Sequence, residues 1–438
     1  MKDDQTSRVE GNGQSTSSAP PSLSLISHAT LQPPEGETTS GDSGRAPEPI
    51  PSPPELARAP HILERFIETI RTCGVVGEDR AAQLIFLVMI SRFLERMVSA
   101  VLKGPSSGGK SFILATVLRF FSKRAYHELT GMSERVLAYS TEPLSHRFLV
   151  LYEAAGIGPF GTYLIRSLLS EGCIRYETLE QTKEGWRPKV LHRPGPSGFL
   201  SSTTAIKLHP ENETRFLSVP ISDTREQTQK VLERQADGLT DQPDLSEWLD
   251  LQNWLEKVEH RVNIPFAKQL AHALPPVALR LRRDFPMLLS LIKAHAILHQ
   301  LNRKKNANGH ILATLEDYTV VQTLISDLLA EGVGLSVPLT VRETVEAVRT
   351  IQAKKKSSKW ATVLEVATIL HLDISSASRR VKKALLLGYL ANAEHGRGKP
   401  YRLVIGEPLP EEKLLLPTPE ELNGCTIAEK TEEGRGHE

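Results

Sequence analysis

The chain has 438 residues with 53 basic and 52 acidic side chains, so it is long enough for two or three domains and carries no uniformly basic coat. The three cysteines stand far apart, and no group of histidines and cysteines in the sequence supplies a complete set of metal ligands, which argues against a disulfide framework and a structural metal. No apolar run approaches the roughly 20 residues of a membrane-spanning helix, and no signal peptide is recognisable. We therefore expect a cytoplasmic protein that does not contact a membrane.

Residues 1–58 are dominated by serine, proline, glycine, threonine and glutamate. Because so few of them are apolar, burial cannot offset the entropy of ordering this segment, and we predict a disordered arm. From residue 59 onward apolar residues return at helical spacing. This spacing predicts two helices, the second running from Asp79 to about Met97, that brace the segment after them.

Residues 104–111 match the phosphate-loop pattern G-x-x-x-x-G-K-S, and the apolar residues on both sides predict a strand and a helix. Such a loop curls backbone N–H groups around phosphates, while its lysine neutralises the β and γ oxygens and its serine can ligate magnesium. The alternative is a glycine-rich turn that happens to contain a lysine. We predict a site for ATP and Mg²⁺, with Ser111 as the metal ligand. The nucleotide-binding residues are then Gly104, Pro105, Ser106, Ser107, Gly108, Gly109, Lys110 and Ser111.

A second motif follows at residues 147–153, where four apolar residues lead to Tyr152 and Glu153. This is typical of a buried parallel strand with a carboxylate at its C-terminal end, where α/β sheets bind ligands. Glu153 is placed to polarise the water that attacks the γ-phosphate. Alternatively, it only caps a core strand. Tyr152 stands where such motifs usually carry an aspartate, which leaves magnesium to Ser111 and water.

Two β-like runs, residues 173–180 and 187–191, are joined by a segment whose turn chemistry predicts a hairpin with Lys183 at its tip. The next strand-like run ends in two threonines, Thr203 and Thr204, and a short polar segment then leads to an arginine. The order along the chain is therefore phosphate loop, carboxylate strand, hairpin, hydroxyl-ended strand and arginine.

This order resembles the AAA+ ATPases that carry a hairpin before sensor 1, the group of superfamily 3 viral helicases and minichromosome-maintenance helicases. Residues 77–228 more closely resemble ATPases of phages and integrated elements that are described as primase or primase-associated helicase proteins. The resemblance is carried by Lys-Gly-Pro-Ser-Ser-Gly-Gly-Lys-Ser, Tyr-Glu-Ala-Ala-Gly, Leu-Leu-Ser-Glu-Gly-Cys-Ile-Arg-Tyr-Glu-Thr and Leu-His-Pro-Glu-Asn-Glu-Thr-Arg. The chain has no recognisable primase or zinc-binding sequence, so priming would belong to a separate chain.

The resemblance implies roles for two further residues. Thr204, with Thr203 beside it, matches the end of the sensor 1 strand that reads the γ-phosphate, where many relatives carry asparagine. Arg215 matches an arginine finger that reaches the nucleotide of a neighbouring subunit, so the active unit is a dimer or a ring, such as a hexamer. The alternative is a surface arginine paired with Glu211 or Glu213. The catalytic set is then Lys110, Glu153, Thr204 and Arg215.

The resemblance also gives the hairpin a role. In ring helicases of this class a lysine at the tip tracks the DNA backbone, and the cation at Lys183 suits contact with phosphate. A solvated lysine at a turn would look the same in sequence. Trp186 beside it could stack on a base, although packing within the hairpin is the better interpretation.

Residues 236–338 are helical in pattern and resemble the α-helical lid of minichromosome-type ATPases. Such lids often lend a second arginine to the nucleotide, which here would be Arg282 or Arg283. An ordinary salt bridge at the edge of the core fits these arginines equally well. His295 and His299 are four residues apart, but no third ligand lies nearby in sequence, and we interpret them as packing or surface residues.

Residues 339–406 resemble a winged helix-turn-helix domain, with a first helix, a turn, a second helix that Ser375 can cap, and a glycine-rich loop between two strand-like runs. The second helix is basic, which suits phosphate contact and insertion into the major groove. The alternative is a protein-binding winged helix with a solvated basic face. We favour DNA, and the predicted DNA contacts are Lys183, Arg379, Arg380, Lys382, Lys383, Arg397 and Lys399.

The sequence thus predicts an α/β P-loop core of AAA+ type at residues 59–235, a helical lid at 236–338, a winged helix at 339–406 and a flexible tail at 407–438. Two hypotheses follow. The first is an ATP-hydrolysing DNA helicase or translocase that acts in the replication of a phage or mobile element. The second is an ATP-switched DNA-binding initiator or regulator with little turnover, which the tyrosine at position 152 supports.

Overall fold

The computed structural model describes residues 51–153, 157–205, 210–238, 243–334, 336–355, 360–394, 396, 398–409 and 415–423. Most of the predicted disordered arm and of the predicted flexible tail lies outside these ranges. The last residues of the arm lie within them. There, a 3₁₀ helix at Glu55–Arg58 buries Leu56 and Ala57 in the main core. Packed structure is therefore present within the last residues of the predicted arm.

The secondary structure of the described residues is mixed. The helices are α1 (Ile62–Thr72), α2 (Asp79–Ile90), α3 (Lys110–Leu118), α4 (Val136–Tyr139), α5 (Pro159–Glu171), α6 (Pro210–Glu213), α7 (Arg225–Ala236), α8 (Ser246–Leu255), α9 (Ala267–Ala273), α10 (Leu281–Leu298), α11 (Leu315–Gly332), α12 (Leu339–Lys354), α13 (Val363–Ile369) and α14 (Ile374–Leu386). The strands are β1 (Ala100–Lys103), β2 (Tyr126–Leu129), β3 (Arg147–Leu151), β4 (Cys173–Thr182), β5 (Gly185–Pro194), β6 (Ser197–Thr203), β7 (Leu217–Pro220), β8 (Val262–Asn263), β9 (Ile311–Leu312), β10 (Leu390–Asn392) and β11 (Leu403–Ile405). None of the described helices combines the length and apolar character needed to cross a membrane.

Five strands form one parallel sheet in the order β2, β3, β6, β1, β7. β1 pairs with β6 on one side and β7 on the other, and β3 pairs with β2 and β6. The three central strands are almost entirely buried because both faces of the sheet are covered. The phosphate loop, Glu153 and Thr204 directly follow these three strands. They therefore meet at the C-terminal end of the sheet, which we call the phosphate end.

An aromatic cluster joins the two N-terminal helices to the helix that follows the phosphate loop. It contains Phe66 of α1, Phe86 of α2, Phe120 just beyond α3 and Trp248 of α8, with ring centroids 4.3 to 6.4 Å apart. Most of these pairs meet edge to face, the geometry that aromatic rings prefer. The N-terminal helices therefore brace the phosphate loop through α3, as their sequence predicts.

Helix α2 is shorter than its apolar spacing indicates, because it ends at Ile90 and not near Met97. The hydroxyl of Ser91 donates to the carbonyl of Val88 at 2.6 Å and accepts the N–H of Val98 at 2.9 Å. These two bonds turn the chain toward β1. A short 3₁₀ turn at Ser91–Phe93 follows, and the apolar residues beyond it belong to this connection and not to a longer α-helix.

β4 and β5 form a two-stranded antiparallel ribbon between the carboxylate strand β3 and the hydroxyl-ended strand β6. Each strand has ten residues, and Lys183 and Glu184 make the two-residue turn between them. Gly185 after the turn has φ +114°, a conformation that favours glycine. The predicted hairpin is present, and it is longer than the β-like runs in the sequence.

Helices α10 and α11 enclose a buried ionic network. The ring Nδ1 of His295 lies 2.6 Å from a carboxylate oxygen of Asp317, and Arg303 pairs with the same carboxylate at 2.8 Å. Burial raises the pKa of Asp317, but the bonds from His295 and Arg303 outweigh it and lower the pKa to about 2. His299 is also buried, with its ring 4.4 Å from that of His295. The histidines therefore pack in the core, and no three His, Cys, Asp or Glu side chains of the described residues form a group suited to a metal.

The C-terminal helices and strands have a small core of their own. Apolar residues of α12, α13, α14, β10 and β11 form it, with Val345, Val381 and Leu403 fully buried. β10 and β11 pair as an antiparallel ribbon. The carboxylate of Asp373 accepts the N–H of Ser376 at 2.9 Å and caps α14, so the cap is two residues earlier than the predicted Ser375.

Part of the predicted flexible tail is folded. Leu415, Leu416 and Leu422 are buried in the main core. The carbonyl of Pro417 accepts hydrogen bonds from the hydroxyl of Tyr318 and from a side-chain amide of α11, both at 2.6 Å. Proline and glutamate dominate the composition of the tail, but these few leucines suffice to hold residues 415–423 against α11.

Candidate nucleotide-binding site

The phosphate loop connects β1 to α3 and lies against Ile221, which follows β7. The N–H of Ile221 donates to the carbonyl of Lys103 at 3.0 Å. A side-chain carbon at Gly104 would lie 2.2 Å from a carbon of Ile221, so only glycine fits there. Gly109 precedes α3 with φ +83°. The local sequence therefore produces the tight strand-to-helix turn that a phosphate cradle requires.

Lys110 is the first residue of α3 and is only 7% exposed. Its ammonium donates to the carbonyls of Pro105 at 2.6 Å and Gly104 at 3.2 Å. Burial lowers the pKa of Lys110, the charge of Arg379 lowers it further, and the charge of Glu153 raises it. The loop thus holds a buried cation whose local carbonyl partners are neutral, a good partner for phosphate oxygens.

Glu153 follows β3 at the phosphate end and is exposed. Tyr152 before it donates a hydrogen bond from its hydroxyl to Glu128 on the neighbouring strand β2. This bond lowers the pKa of Glu128, burial opposes it, and Lys123 adds to the lowering. Tyr152 therefore brings a second carboxylate to the phosphate end. The only signal for Glu128 in the sequence is an acidic residue on a short strand, which does not predict this role.

Strand β6 ties the carboxylate strand to the phosphate loop. The hydroxyl of Ser202 donates to the backbone carbonyl just beyond β3. The carbonyl of Thr203 accepts the N–H of Gly104 at 3.3 Å. Thr204 is exposed, and its carbonyl accepts a hydrogen bond from Arg379 at 2.9 Å. The structure thus places the predicted sensor residue beside the phosphate loop.

Arg215 lies at the opposite end of the sheet, where the strands begin, which we call the arginine end. Its guanidinium donates to the hydroxyl of Ser170 at 2.9 Å and to the carbonyl of Glu211. The carboxylates of Glu211 and Glu213 pair with other cations. The hydrogen bonds of Arg215 therefore go to neutral oxygens, and the surface ion pair with Glu211 or Glu213 that the sequence allowed is not formed.

Arg215 lines a cavity of about 570 Å³ beside the residues that precede β1 and the start of β6. Arg283 lines the same cavity and donates to the hydroxyl of Thr214 at 2.6 Å. Burial lowers the pKa of Arg215, and the charges of Arg283 and Arg166 lower it further. Arg282 and Arg283 were the two candidates for a second arginine that contacts the nucleotide. Arg283 is the one that lies beside Arg215, at the arginine end.

The tip of the ribbon presents a cation and an aromatic ring. Lys183 is exposed at the turn, as predicted. Trp186 pairs across the ribbon with Gln181 and is 65% exposed, so it does not pack within the hairpin as the sequence favoured. Lysine and exposed tryptophan are the two kinds of group that hold a single nucleic-acid strand, through phosphate contact and stacking.

The basic helix α14 packs against the phosphate end. Arg380 is only 6% exposed, and it binds Asp223 at 3.1 Å and Glu343 at 2.7 Å. Asp223 follows β7, so this ion pair joins the C-terminal helices to the sheet. Arg379, one residue earlier, reaches the carbonyl of Thr204. Neither Asp223 nor Glu343 was part of a sequence motif, and these contacts were not foreseen.

The remaining predicted DNA contacts of the C-terminal segment differ in their exposure. Lys383 is half-buried, and burial lowers its pKa while Glu331 raises it. Lys382 and Lys399 are exposed. Arg397 lies outside the described residues. In this arrangement Lys382 and Lys399 are the predicted contacts of the C-terminal segment that face solvent, and Arg380 is not available to DNA.

Comparison of the chain with models of known protein families gives no match, and no curated protein matches it. The structure gathers Lys110, Glu153 and Thr204 at the phosphate end and places Arg215 at the arginine end. The described residues form a mixed α/β structure with a parallel five-stranded sheet. Its function therefore rests on the geometry of these residues.

Proposed function

We propose that this chain is an ATP-hydrolysing DNA helicase or translocase that acts in the replication of a phage or mobile element. The observation that carries the proposal is the meeting of Lys110, Glu153 and Thr204 at the phosphate end. The chain between the last two forms the ribbon with Lys183 at its tip. The first feature supports hydrolysis of a nucleoside triphosphate, and the ribbon directs that hydrolysis to DNA. Priming is left to a separate primase chain.

The residues of the phosphate loop fit ATP and Mg²⁺. Gly104 leaves no room for a side chain, and Lys110 holds a buried ammonium inside the loop. Ser111 is exposed at the start of α3, where its hydroxyl would hold magnesium. Magnesium, when bound, neutralises charge on the phosphate oxygens. Tyr152 is committed to Glu128, so the carboxylate strand adds a tyrosine where an aspartate would serve the metal directly.

Glu153 is the candidate general base. It is exposed at the phosphate end and close enough to Lys110 to raise its pKa. A carboxylate in this position accepts a proton from the water that attacks the γ-phosphate, as catalytic bases of ATPases do. Thr204 would contact the γ-phosphate through its hydroxyl, because it directly follows Thr203, whose carbonyl accepts the N–H of Gly104.

We assign residues 59–235 to the AAA+ class, 236–338 to its helical lid and 339–406 to a winged helix-turn-helix. The ribbon inserted before β6 supports the first assignment. Three helices followed by a two-stranded ribbon support the last. The exposed Lys382 and Lys399 suit DNA contact, together with the ribbon tip.

The position of Arg215 supports a homo-oligomer. The four residues of β1 separate the arginine end from the phosphate end by roughly 10 Å or more. Arg215 and Arg283 therefore point away from the phosphate loop of their own chain. An arginine finger in this position serves the nucleotide of a neighbouring copy, and repetition of that contact gives a ring, such as a hexamer.

The proposal is tested by measuring ATP hydrolysis alone, with single-stranded DNA and with forked DNA, with strand separation followed in parallel. We expect both DNA forms to stimulate hydrolysis. Lys183→Ala should reduce that stimulation about tenfold relative to Lys189→Ala, a ribbon lysine that is paired with Glu180. Absence of stimulation by either DNA, together with absence of strand separation, would refute the helicase function.

The docking of α14 favours a second candidate, an ATP-switched DNA-binding initiator or regulator with little turnover. Arg380 is held by Asp223 and Glu343, so the helix that should read DNA faces the phosphate end. Such a protein would bind DNA fully only after α14 is released. Footprinting on the DNA of the element separates the two candidates: a discrete protected site with negligible hydrolysis supports the switch, and loading without sequence preference supports the motor.

A further inference from the structure

Helix α14 is fixed to the phosphate end by contacts on both of its sides. Arg380 bridges Asp223 and Glu343, at 3.1 and 2.7 Å. Just before the helix, the carbonyl of Leu372 accepts a hydrogen bond from Arg225 of α7 at 2.9 Å. A buried arginine between two carboxylates holds its position firmly, because leaving any of these charges unpaired is costly. The residues beside Arg380 are therefore presented to the phosphate loop in a defined position.

This docking brings Arg379 to the end of strand β6. Its guanidinium donates to the carbonyl of Thr204 at 2.9 Å. The carbonyl of the preceding residue, Thr203, binds the N–H of Gly104 at 3.3 Å. Two hydrogen bonds and one peptide unit thus separate the guanidinium from the first glycine of the phosphate loop. The guanidinium therefore lies at the phosphate end, beside the strand that contacts the loop.

The charge of Arg379 acts on the phosphate loop. Its cation lowers the pKa of Lys110, after burial has lowered it first. Burial also lowers the pKa of Arg379 itself, and Asp223 raises it. The carbonyl of Thr204 is neutral, and Asp223 is already bonded to Arg380. The buried ammonium of Lys110 and the partly buried guanidinium of Arg379 repel each other, so together they form a favourable place for a ligand with several negative charges.

We propose that Arg379 binds the γ-phosphate of a nucleoside triphosphate held in the phosphate loop of its own chain. The C-terminal helices would then sense whether a triphosphate or a diphosphate is bound, because only the triphosphate carries the group that Arg379 reaches. This inference rests on the proposed function, in that the phosphate loop must bind a nucleotide. It assigns Arg379 to the nucleotide and leaves Lys382 and Lys399 to DNA.

The test is a titration of the full-length chain with fluorescently labelled ATP, in a non-hydrolysable form, and with labelled ADP. We expect Arg379→Ala to weaken binding of the triphosphate about tenfold, the usual effect of losing one charge-assisted hydrogen bond, and to leave ADP within about twofold. Arg379→Lys should give an intermediate affinity for the triphosphate, since it retains the charge. Arg349→Ala is the matched control, because it removes an arginine of α12 that pairs with Glu346 on its own helix.

Arg379→Gln separates the loss of charge from the loss of the contact with Thr204, because glutamine keeps an amide donor. Thermal unfolding shows whether a variant has lost its fold. If Arg379→Ala has lost it, Arg379→Gln takes its place in the comparison with wild type. Equal triphosphate affinity in wild type and the neutral variant would overturn the inference. An equal loss for ATP and ADP would overturn it as well, because that outcome indicates a purely structural role. A wild-type chain that binds neither nucleotide would instead refute the proposed function.

Discussion

The two ends of the parallel sheet carry different halves of the proposed site. At the phosphate end, groups from three adjacent strands meet: Lys110 after β1, Glu153 after β3 and Thr204 after β6. At the arginine end, Arg215 and Arg283 share a cavity of about 570 Å³ and bond to neutral oxygens. The first group is complementary to a nucleotide of the same chain. The second is a pair of cations in a cavity that is also lined by the carboxylates of Glu95, Glu171 and Asp284.

The difference follows from the topology of the sheet. Its five strands run parallel, so a residue directly after a strand lies at the phosphate end and a residue directly before a strand lies at the arginine end. Arg215 precedes β7 and is therefore held away from Lys110 by the length of the sheet. Under the proposed function, Arg215 therefore serves the nucleotide of a neighbouring copy and not that of its own chain.

The largest effect is expected for Lys110→Ala, which should weaken nucleotide binding by about a hundredfold or more. The variant removes the buried ammonium of the loop while α3 remains in place. Lys268→Ala, on α9, is the matched lysine control. Equilibrium titration with a labelled nucleotide measures both. Similar affinities for the two variants would show that the phosphate end does not bind nucleotide.

Glu153→Gln should retain nucleotide binding and lose hydrolysis by about a thousandfold, since the amide cannot accept the proton of water. Glu128→Gln tests the other carboxylate of this end, which acts through Tyr152, and it should slow hydrolysis much less. Single-turnover hydrolysis with bound ATP measures both variants. If Glu128→Gln stops hydrolysis and Glu153→Gln does not, the roles of the two carboxylates are the reverse of those proposed.

Arg215→Ala should slow hydrolysis by about a hundredfold and leave nucleotide binding unchanged, because the arginine end serves a neighbouring copy. Mixing this variant with Lys110→Ala should restore part of the activity, as some interfaces then combine an intact loop with an intact arginine. Arg282→Ala, an exposed lid arginine, is the control and should hydrolyse ATP at nearly the wild-type rate. Failure of the mixture to exceed the sum of its components would place Arg215 outside a shared site.

The smallest effect concerns stability. Glu78 accepts the N–H of Ser222 at 2.7 Å near the phosphate end, and burial raises its pKa from 4.5 to about 7, against the effect of that bond. A raised carboxyl pKa stabilises the fold at low pH, and the contribution is lost as the pH rises through about 7. Between about pH 5.5 and 8.5 the wild type should lose roughly 2 kcal/mol of unfolding free energy more than Glu78→Gln. Urea unfolding of both proteins at the two pH values measures this difference. An equal change in unfolding free energy between the two pH values in both proteins would contradict the prediction.

Sequence patterns were informative wherever backbone conformation or chain order determines the structure. The glycines and lysine of residues 104–111 fix the loop, and the turn chemistry around Lys183 fixes the ribbon. The strand that leads to Glu153 follows from its uninterrupted apolar run. Each of these signals is local, so it can be recognised without knowing what packs against it.

Contacts between distant segments were not predictable. The basic face of α14 contains Arg379, Arg380 and Lys383, and its sequence looks the same whether the face contacts DNA or the phosphate end. Only the position of Asp223 decides between these two contacts. The same holds for Tyr152, whose partner lies on another strand. Their partners are set by tertiary packing, which composition and periodicity do not report.

The ribbon has a consequence for local motion. Its ten-residue strands reach roughly 30 Å, and residues 179–190 are exposed on both faces, including Leu179 and Val190. A two-stranded ribbon without a covering layer is only marginally stable, so its amide hydrogens should exchange with solvent much faster than those of the parallel sheet. Hydrogen exchange therefore detects binding to the ribbon. A bound DNA strand or a neighbouring copy of the chain would slow exchange in the ribbon first, while exchange in the parallel sheet would stay unchanged.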